Sequence, residues 1–304
     1  MKALPSDLNA TYARILQNIP KSRWKKTVRL LHFLVYSQRP LTLEECVDVM
    51  AVRTDKRSFD PGDRLPNPTD ITRFCPTLVV LTKTRKGWGG DWGGGFLQLA
   101  HFTVKEYLLH HDAEGFRSAE PSISITETCL FYLASVKAIE AMDLERLDSL
   151  FPLAEYAAQT WTAHARLAES SNDTVAVIVR FLQSEKQLRI WSRLVHHGQP
   201  ICISRIPHKS GLYYACILGL TATVKMLLQN QSNVNSTSGV KNWTAIQGAS
   251  EGGNQEIVQL LLDAGANVNT IGGEYGTALQ AASAKGNKEI VQLLLDAGAN
   301  VNTI

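Results

Sequence analysis

The glycine-rich run at residues 86–95 is the part of this sequence best suited to a specific chemistry. Successive backbone N–H groups in such a run can surround a phosphate when a Lys-Ser or Lys-Thr pair and a helix follow. Neither the pair nor a helical pattern follows Gly95, and the pattern G-x-x-x-x-G-K-[ST] occurs nowhere in the chain. We therefore interpret the run as a flexible turn between two strands.

The histidines and paired acids form no catalytic or metal-binding set. His110 and His111 are adjacent, but the sequence offers no further ligands at a metal-binding spacing. Glu44 and Glu45 are explained as the acidic first turn of a helix. The patterns G-x-S-x-G, H-E-x-x-H and the EF-hand loop are absent. The sequence predicts a protein that is not an enzyme, with no cofactor and no metal.

Cysteine usage and hydropathy indicate a reducing compartment. The five cysteines are scattered, without a C-x-x-C pair, at Cys46, Cys75, Cys129, Cys202 and Cys216. Such an odd, dispersed set is typical of reduced, buried thiols. The first 16 residues lack a signal-peptide core, and no apolar run approaches the ~20 residues that span a bilayer. We expect a cytoplasmic protein, with the nucleus as the alternative.

An internal repeat dominates the C-terminal third. The 16 residues from Glu256 to Ile271 recur without change from Glu289 to Ile304, 33 residues later. A more divergent copy precedes them, with Ser210 opening its first helix. A period of this length predicts a solenoid of stacked units. The period and the turn–helix–helix layout resemble the ankyrin repeat, which implies three repeats at about 207–238, 239–271 and 272–304, and a protein-binding module.

The residue types within the repeat have physical explanations. Small residues such as Ala249, Ala281 and Ala282 let paired helices approach closely. Gly265 and Gly298 stand where a left-handed C-cap is expected, and Asn254 and Asn287 suit N-caps. Gln247 and Gln280 occupy the usual histidine position of the family. Either glutamine can hydrogen-bond the neighbouring turn.

The region 21–112 has the element order of a winged-helix domain. Apolar spacing predicts a helix from Trp24 to Tyr36, and Thr42 is a good N-cap for a second. A short third helix opens at residues 69–71. Strand-like runs at 78–84 and 96–102 flank the glycine-rich turn and predict a hairpin wing.

Three stretches in the N-terminal part of the chain resemble fungal NACHT–ankyrin proteins, which are nucleotide-regulated STAND proteins similar in plan to NOD-like receptors. The stretches are residues 3–16, 39–45 and 99–108, and residues 151–158 with Trp161 and His164 resemble the helical region that follows in that family. The resemblance implies a partial helical segment at 1–20, a winged helix at 21–112 and an α-helical spacer at 113–205. It also implies an NTPase domain upstream, whose bound ADP His101 would contact. The alternative for His101 is local hydrogen bonding at a strand end.

DNA binding is the alternative function of a winged helix. Residues 1–112 carry 17 Lys+Arg against 11 Asp+Glu, whereas residues 113–304 carry 14 against 17. The excess lies mainly on the first helix, at Lys21, Arg23, Lys25, Lys26 and Arg29. The recognition-helix stretch 70–76 holds one Arg, one Asp and a Pro, and the wing tip offers Lys83, Arg85 and Lys86 with Trp88 and Trp92. We interpret the basic face as a solvated or domain-docking surface.

Partner-binding positions follow from the repeat register, because hairpin tips and first helices line the concave side of an ankyrin stack. These positions are Lys209, Ile217, Leu218, Val240, Lys241, Trp243, Glu251, Glu274, Tyr275 and Lys285. Trp243 and Tyr275 are the expected anchors, since aromatic side chains often dominate interface energy. The alternative for Trp243 is packing against the neighbouring hairpin.

Taken together, the sequence predicts a mainly α protein composed of a winged-helix domain with a β-hairpin wing, an α-helical spacer and an ankyrin-repeat α-solenoid. The leading function is non-enzymatic protein recognition, as an adaptor or as the sensor arm of a NOD-like receptor-type protein. The alternatives are a fragment of a STAND NTPase and a winged-helix DNA-binding regulator. The apolar last helix also predicts self-association through an uncapped C-terminal repeat.

A nucleotide-hydrolysis assay tests the non-enzymatic prediction. Because the sequence has no phosphate-binding loop, we expect the purified chain to hydrolyse neither ATP nor GTP above the buffer background. His101→Ala is the informative variant. Turnover by the parent chain that disappears in His101→Ala, but persists in a substitution elsewhere on the surface, would contradict the prediction.

Overall fold

A computed structural model describes residues 6–82, 95–110, 113–117, 119–136, 144–195, 209–239 and 241–303. The chain divides into two compact units, residues 1–164 and 165–304. The mainly helical class, the winged helix and the ankyrin repeats are confirmed. The finer boundaries at residues 20, 112 and 205 stay predictions.

The N-terminal unit contains the winged helix followed by further helices. Its elements are α1 (Ser6–Gln17), α2 (Lys21–Tyr36), β1 (Leu41–Thr42), α3 (Leu43–Ala51), β2 (Val52–Arg53), β3 (Ser58–Phe59), 3-10 helices at Pro61–Asp63 and Pro68–Phe74, β4 (Val79–Thr82), β5 (Phe96–Leu99), α4 (Phe102–His110), α5 (Glu120–Ser135), α6 (Leu144–Leu150) and α7 (Ala154–Ala168), which extends past residue 164. Strand β5 lies between β1 and β4 in an antiparallel sheet, and β2 pairs with β3. The third helix of the winged helix is the second 3-10 helix.

The second strand of the hairpin is shorter than the sequence pattern predicts. Residues 83–94, which include the predicted wing tip, lie outside the described residues. The second strand ends at Leu99, whereas the sequence pattern extended it to Phe102. Phe102 instead begins α4, because the His101 ring caps that helix: its Nδ1 accepts from the Thr103 N–H at 3.2 Å. Alternating apolar residues alone do not reveal such a cap.

The predicted start of α3 is confirmed. The Thr42 hydroxyl accepts from the Glu45 N–H at 3.2 Å, and the Glu45 carboxylate accepts from the Thr42 N–H at 2.8 Å. This reciprocal pair is a capping box. Arg39 also binds the Glu45 carboxylate with both Nη atoms. Glu45 therefore has a structural role, and Glu44 lies beside it in the first turn of α3.

Arg29 corrects the interpretation of the basic face on α2. Its side chain is buried, and Nη1 donates to the Val49 carbonyl at 3.2 Å and to the Val52 carbonyl. These carbonyls end α3 and would otherwise have no helical partner. Burial lowers the pKa of Arg29 to about 10. The exposed basic set on α2 is thus Lys21, Arg23, Lys25 and Lys26.

A buried carboxylate fastens the winged helix to the helices that follow it. Asp48 on α3 accepts from Arg64 Nε at 2.6 Å and from Nη2 at 3.0 Å, and the Tyr132 hydroxyl on α5 also donates to it. Arg64 Nη2 reaches the Leu150 carbonyl of α6 at 2.7 Å. Desolvation nonetheless raises the pKa of Asp48 above its usual value. Loss of either ionic partner would leave a buried charge uncompensated.

The C-terminal unit contains two spacer helices and the repeats. Its elements are α8 (Asn172–Gln183), α9 (Glu185–Val195), α10 (Gly211–Ile217), α11 (Thr221–Gln229), α12 (Ala245–Gly252), α13 (Gln255–Asp263), α14 (Ala278–Lys285) and α15 (Lys288–Asp296). The first helices of the repeats, α10, α12 and α14, stack side by side, as do α11, α13 and α15. Helix α8 packs on the first pair. A Cβ at Gly248 would lie 3.0 Å from the Tyr213 ring, so the close approach of α12 to α10 favours a glycine there.

The cap predictions in the repeats are partly right. Gly265 and Gly298 have φ values of 84° and 86°, which confirms the left-handed caps. Asn254 and Asn287 do not cap their own helices. Instead, their Nδ2 atoms donate at 3.0 Å to the Cys216 and Ser250 carbonyls of the preceding repeats. The asparagines thus satisfy carbonyls at the C-terminal ends of α10 and α12.

Exposure along the last repeat differs from that along its internal copy. Ile290 and Leu294 are buried like their counterparts Ile257 and Leu261. Val301 is 68% exposed, whereas its counterpart Val268 is 7% exposed. Self-association through this repeat stays a prediction.

His32 on α2 provides a test of the winged-helix core. Its ring is buried, with Nε2 2.6 Å from the Gly115 carbonyl and the Phe116 ring edge-on at 4.7 Å. Burial lowers the pKa of His32 from 6.5 to about 4. The unfolded chain therefore binds this proton at a higher pH than the folded chain does. The stabilisation is complete above about pH 6.5 and is lost as the pH falls toward about 4.

We expect the free energy of unfolding of the parent chain to fall by about 3 kcal/mol more than that of His32→Gln over this pH range. Urea unfolding near pH 7 and near pH 4, followed by circular dichroism, measures the difference. His110→Gln, on the exposed end of α4, is the matched control and should behave like the parent. Parallel pH dependence in the parent and His32→Gln would contradict the assignment.

Gln247 and Gln280 form a second matched pair. Each closes a capping box with the preceding threonine. Nε2 of Gln247 also lies within hydrogen-bond distance of three carbonyls in the next hairpin, at 3.0–3.2 Å, on Thr270, Gly272 and Gly276. Nε2 of Gln280 reaches the Thr303 carbonyl at 3.1 Å.

We expect Gln247→Ala to destabilise the repeats by about 2–4 kcal/mol and Gln280→Ala by about 1–2 kcal/mol. The loss is larger for Gln247→Ala because that substitution leaves more buried polar groups without a hydrogen-bond partner. Urea unfolding of both variants is the measurement. Equal losses in the two variants would show that the contacts of Gln247 with the hairpin contribute nothing beyond the cap.

Candidate functional site

Two hairpin tips and three first helices form the candidate surface. In the first hairpin Ser238 and Trp243 exchange backbone hydrogen bonds of 2.9 and 3.0 Å. In the second, the Gly272 N–H donates to the Gly276 carbonyl at 2.7 Å. The Gly273 N–H donates to the Lys241 carbonyl at 2.6 Å, which joins the two tips directly. The backbone therefore fixes the spacing between side chains of neighbouring tips.

An ion pair bridges the two tips on the solvent side. Lys241 Nζ lies 2.8 Å from Glu274 Oε1, and both side chains are more than half exposed. In water such a pair contributes about 0–1 kcal/mol. Its two charges are consequently available to a partner at small energetic cost.

A second group of polar contacts runs along the first helices. The Tyr213 hydroxyl on α10 lies 3.3 Å from Glu251 Oε2 on α12. Glu251 Oε1 lies 3.9 Å from Lys285 Nζ on α14. The Lys285 ammonium also stands 5.5 Å from the centre of the Tyr275 ring. We call these residues, together with Lys209, Trp243, Lys241 and Glu274, the concave network.

Trp243 is not the exposed anchor expected from the sequence. Its side chain is 3% exposed and meets the Tyr213 ring edge-on at 5.5 Å. Lys209 Nζ lies 3.7 Å from the Trp243 ring centre and 3.2 Å from the Tyr213 hydroxyl. Burial lowers the pKa of Lys209. Trp243 thus packs between repeats, and its replacement by alanine is expected to destabilise the stack.

Of the ten predicted positions, the structure brings seven into the concave network. These are Lys209, Lys241, Trp243, Glu251, Glu274, Tyr275 and Lys285. Ile217 and Leu218 lie half-buried at the end of α10, outside the network. Val240 lies outside the described residues. Whether a partner contacts the seven is untested.

Tyr213 belongs to the network but is absent from the sequence-based set. It occupies the third position of its helix, after the Ser210 cap, where the other repeats have Gln247 and Gln280. A large aromatic residue at a position otherwise held by glutamine was the available signal. Register comparison of all three first helices would have found it.

His101 is held by local contacts. Its exposed ring accepts from the Thr103 N–H, and Nδ1 lies 2.8 Å from Thr103 Oγ1. That oxygen is 2.7 Å from the buried Tyr12 hydroxyl. These hydrogen bonds account for a histidine at this strand-to-helix junction without a ligand. A nucleotide contact by His101 remains a prediction.

Neither a metal site nor a reactive thiol is found in the part of the chain that the structure describes. No group of three His, Cys, Asp or Glu residues could hold a metal ion there. Cys46, Cys75, Cys129 and Cys216 are buried, and burial raises the pKa of each thiol, to about 12 for Cys75. Cys202 and His111 lie outside the described residues.

The second 3-10 helix takes the place of the third helix, through which a winged helix would read DNA. The second 3-10 helix carries Arg73, which lies 3.2 Å from Asp70 on the same helix. An arginine paired in this way is partly neutralised before it meets a phosphate. The wing-tip cations lie outside the described residues.

Both the N-terminal and the C-terminal parts of the chain match known protein families. Residues 212–304 match a family of ankyrin repeats in three copies, and residues 12–119 match the winged helix domain of GPI inositol-deacylase. The azaphilone pigments biosynthesis cluster protein L of Monascus ruber is 32% identical over 300 residues, covering 88% of this chain. The chain spans 61% of the length of that relative. The ankyrin repeat domain of human ASB11 is 28% identical, with a TM-score of 0.30, over 32% of this chain and 43% of that one.

Among the helices described, none combines the length and apolar character needed to cross a membrane. The matches fall in the order that the structure shows, winged helix before repeats. The chain therefore joins a winged-helix domain to ankyrin repeats, and its winged helix is similar to that of GPI inositol-deacylase.

Proposed function

We propose that this chain is a recognition module that binds a protein partner on the concave network of its ankyrin repeats. The observation that carries the proposal is the contrast between the two helix layers. The second helices of the second and third repeats and the turns after them share 16 identical residues, whose buried positions Ile257 and Leu261 recur as Ile290 and Leu294. The hairpin tips and first-helix ends differ between repeats and place exposed charges beside the half-buried Tyr275 ring.

The chemistry of the network suits a polar partner surface. Lys241, Glu274 and Lys285 are exposed, and Tyr275 is half-buried beside them. Exposed ion pairs exchange partners readily, since their intramolecular form is worth little. Tyr275 adds a rigid ring that a partner can cover. The partner should therefore present both acidic and basic groups around an apolar contact.

The winged-helix match supports a more specific second proposal. In this proposal the chain is the sensor arm of a nucleotide-regulated STAND protein, and His101 faces a nucleotide bound to an NTPase domain. The exposed His101 ring, oriented by Thr103, supports this geometry. Co-expression with a candidate NTPase domain, followed by ADP retention in parent and His101→Ala complexes, distinguishes it from a stand-alone adaptor.

Two ion pairs with similar geometry and exposure, one on the proposed surface and one outside it, make the main proposal testable. Lys241–Glu274 joins the hairpin tips, and Lys225–Glu256 joins α11 to α13 in the second-helix layer; both have N···O distances of 2.8 Å and similar exposure. We expect Lys241→Ala/Glu274→Ala/Tyr275→Ala to lose capture of a cellular partner, and Lys225→Ala/Glu256→Ala to retain it.

Capture from a cell extract, followed by cross-linking of the recovered complex, is the measurement. Thermal unfolding of each variant checks that the stack remains folded. Equal loss in both variants would contradict the proposal. Cross-links that fall only within residues 21–112 would assign recognition to the winged helix instead.

A further inference from the structure

A cavity of 640 Å³ lies in the N-terminal unit. It is lined by α1, by the start of α2, by Tyr107 on α4 and by residues of the segment 113–117. Its volume falls within the range of about 300–1,000 Å³ typical of small-molecule sites. Nothing in the proposed function makes use of it.

The floor of the cavity is apolar. The apolar lining residues that we call the floor are Leu16, Ile19 and Tyr107, which are buried, and Trp24, which is half-buried. Ala13, on α1, leaves room where a larger side chain would fill the space. A cavity with such a lining favours an apolar chain or ring, because burial removes that surface from water.

The rim of the cavity is basic. Lys21 and Lys25 lie one helical turn apart on α2, both exposed and both lining the cavity, and Arg117 lines it as well. Glu114 is the single acidic residue among the lining residues. The rim therefore carries an excess of positive charge beside an apolar floor.

The N-terminus of α2 strengthens this charge. Helix α2 has 16 residues, begins at Lys21 after Pro20, and has neither a side-chain cap nor an acidic residue in its first turn. The first N–H groups of an uncapped helix carry a partial positive charge. Two lysines at the same end leave that charge without compensation from α2. An anionic group fits this position better than a neutral or cationic one.

We propose that this cavity binds an amphipathic anion, with its apolar chain or ring on the floor and its acidic head group at Lys21 and Lys25. The class includes long-chain carboxylic acids and aromatic acids. The site is independent of the ankyrin surface, so either proposal can fail without the other.

Calorimetric titration of the full chain with dodecanoate and with dodecanol tests the head group. The two probes share a chain and differ in charge. We expect dodecanoate to bind about tenfold more tightly or better, because charged head groups form stronger hydrogen bonds with ammonium groups. Lys21→Gln/Lys25→Gln should reduce dodecanoate binding to the level of dodecanol. Lys26→Gln/Lys105→Gln removes two exposed charges outside the lining and should leave it unchanged.

Ala13→Phe tests the cavity itself. A phenyl ring at this position fills the floor and should abolish binding of both probes. Ala10→Phe, one turn earlier on the exposed face of α1, is the matched control and should bind like the parent. Thermal unfolding confirms that each variant is folded. Equal affinity for the two probes, or dodecanoate binding that survives Ala13→Phe, would overturn the proposal, and the lysine variants decide it should Ala13→Phe fail to fold.

Discussion

The candidate surface depends on one buried side chain, Gln247. A hairpin that leaves one repeat and enters the next carries backbone carbonyls that no regular helix or sheet satisfies. Gln247 lies below the hairpin at 4% exposure, with its Oε1 on the Thr244 N–H and its Nε2 near three hairpin carbonyls. The hairpin tip that carries Glu274 and Tyr275 is thereby fixed on α12. This anchor and the backbone hydrogen bond from the Gly273 N–H to the Lys241 carbonyl together fix the spacing of the ion pair across the tips.

The first repeat contacts the hairpin that follows it through different side chains. Tyr213 stands where the later repeats have glutamine, so the hairpin above it cannot receive an amide. The Ser210 N–H instead donates to the Ser238 hydroxyl at 2.9 Å, and the Trp243 ring turns inward onto Tyr213. Lys209 covers both rings. The Trp243 ring therefore packs against Tyr213 inside the stack, whereas the Tyr275 ring is half-buried beside the exposed Glu274.

These contacts between repeats explain which features could be predicted from the sequence and which could not. Local rules sufficed for the Thr42 capping box and for Gly265, because each depends on residues within one turn. The exact repeat revealed the solenoid, because a unit of this length cannot bury its apolar face alone and must stack on its neighbours. Arg29, Asn254 and Trp243 escaped the same rules. Their partners lie about 20 to 40 residues away or on a neighbouring repeat, and periodicity shows that a side chain faces inward without naming its partner.

Burial separates charges that hold the fold from charges that can serve recognition. The Asp48 side chain is fully buried and its Arg64 partner is 27% exposed, so this pair ties the winged helix to α5 and α6 and cannot exchange. The Lys241 and Glu274 side chains are 52% and 56% exposed, so water screens their attraction and a partner can replace it. The Lys21 and Lys25 side chains are also exposed, and they line a cavity that has an apolar floor. Specific binding is therefore expected where exposed charge adjoins buried apolar surface, at the hairpin tips and at the start of α2.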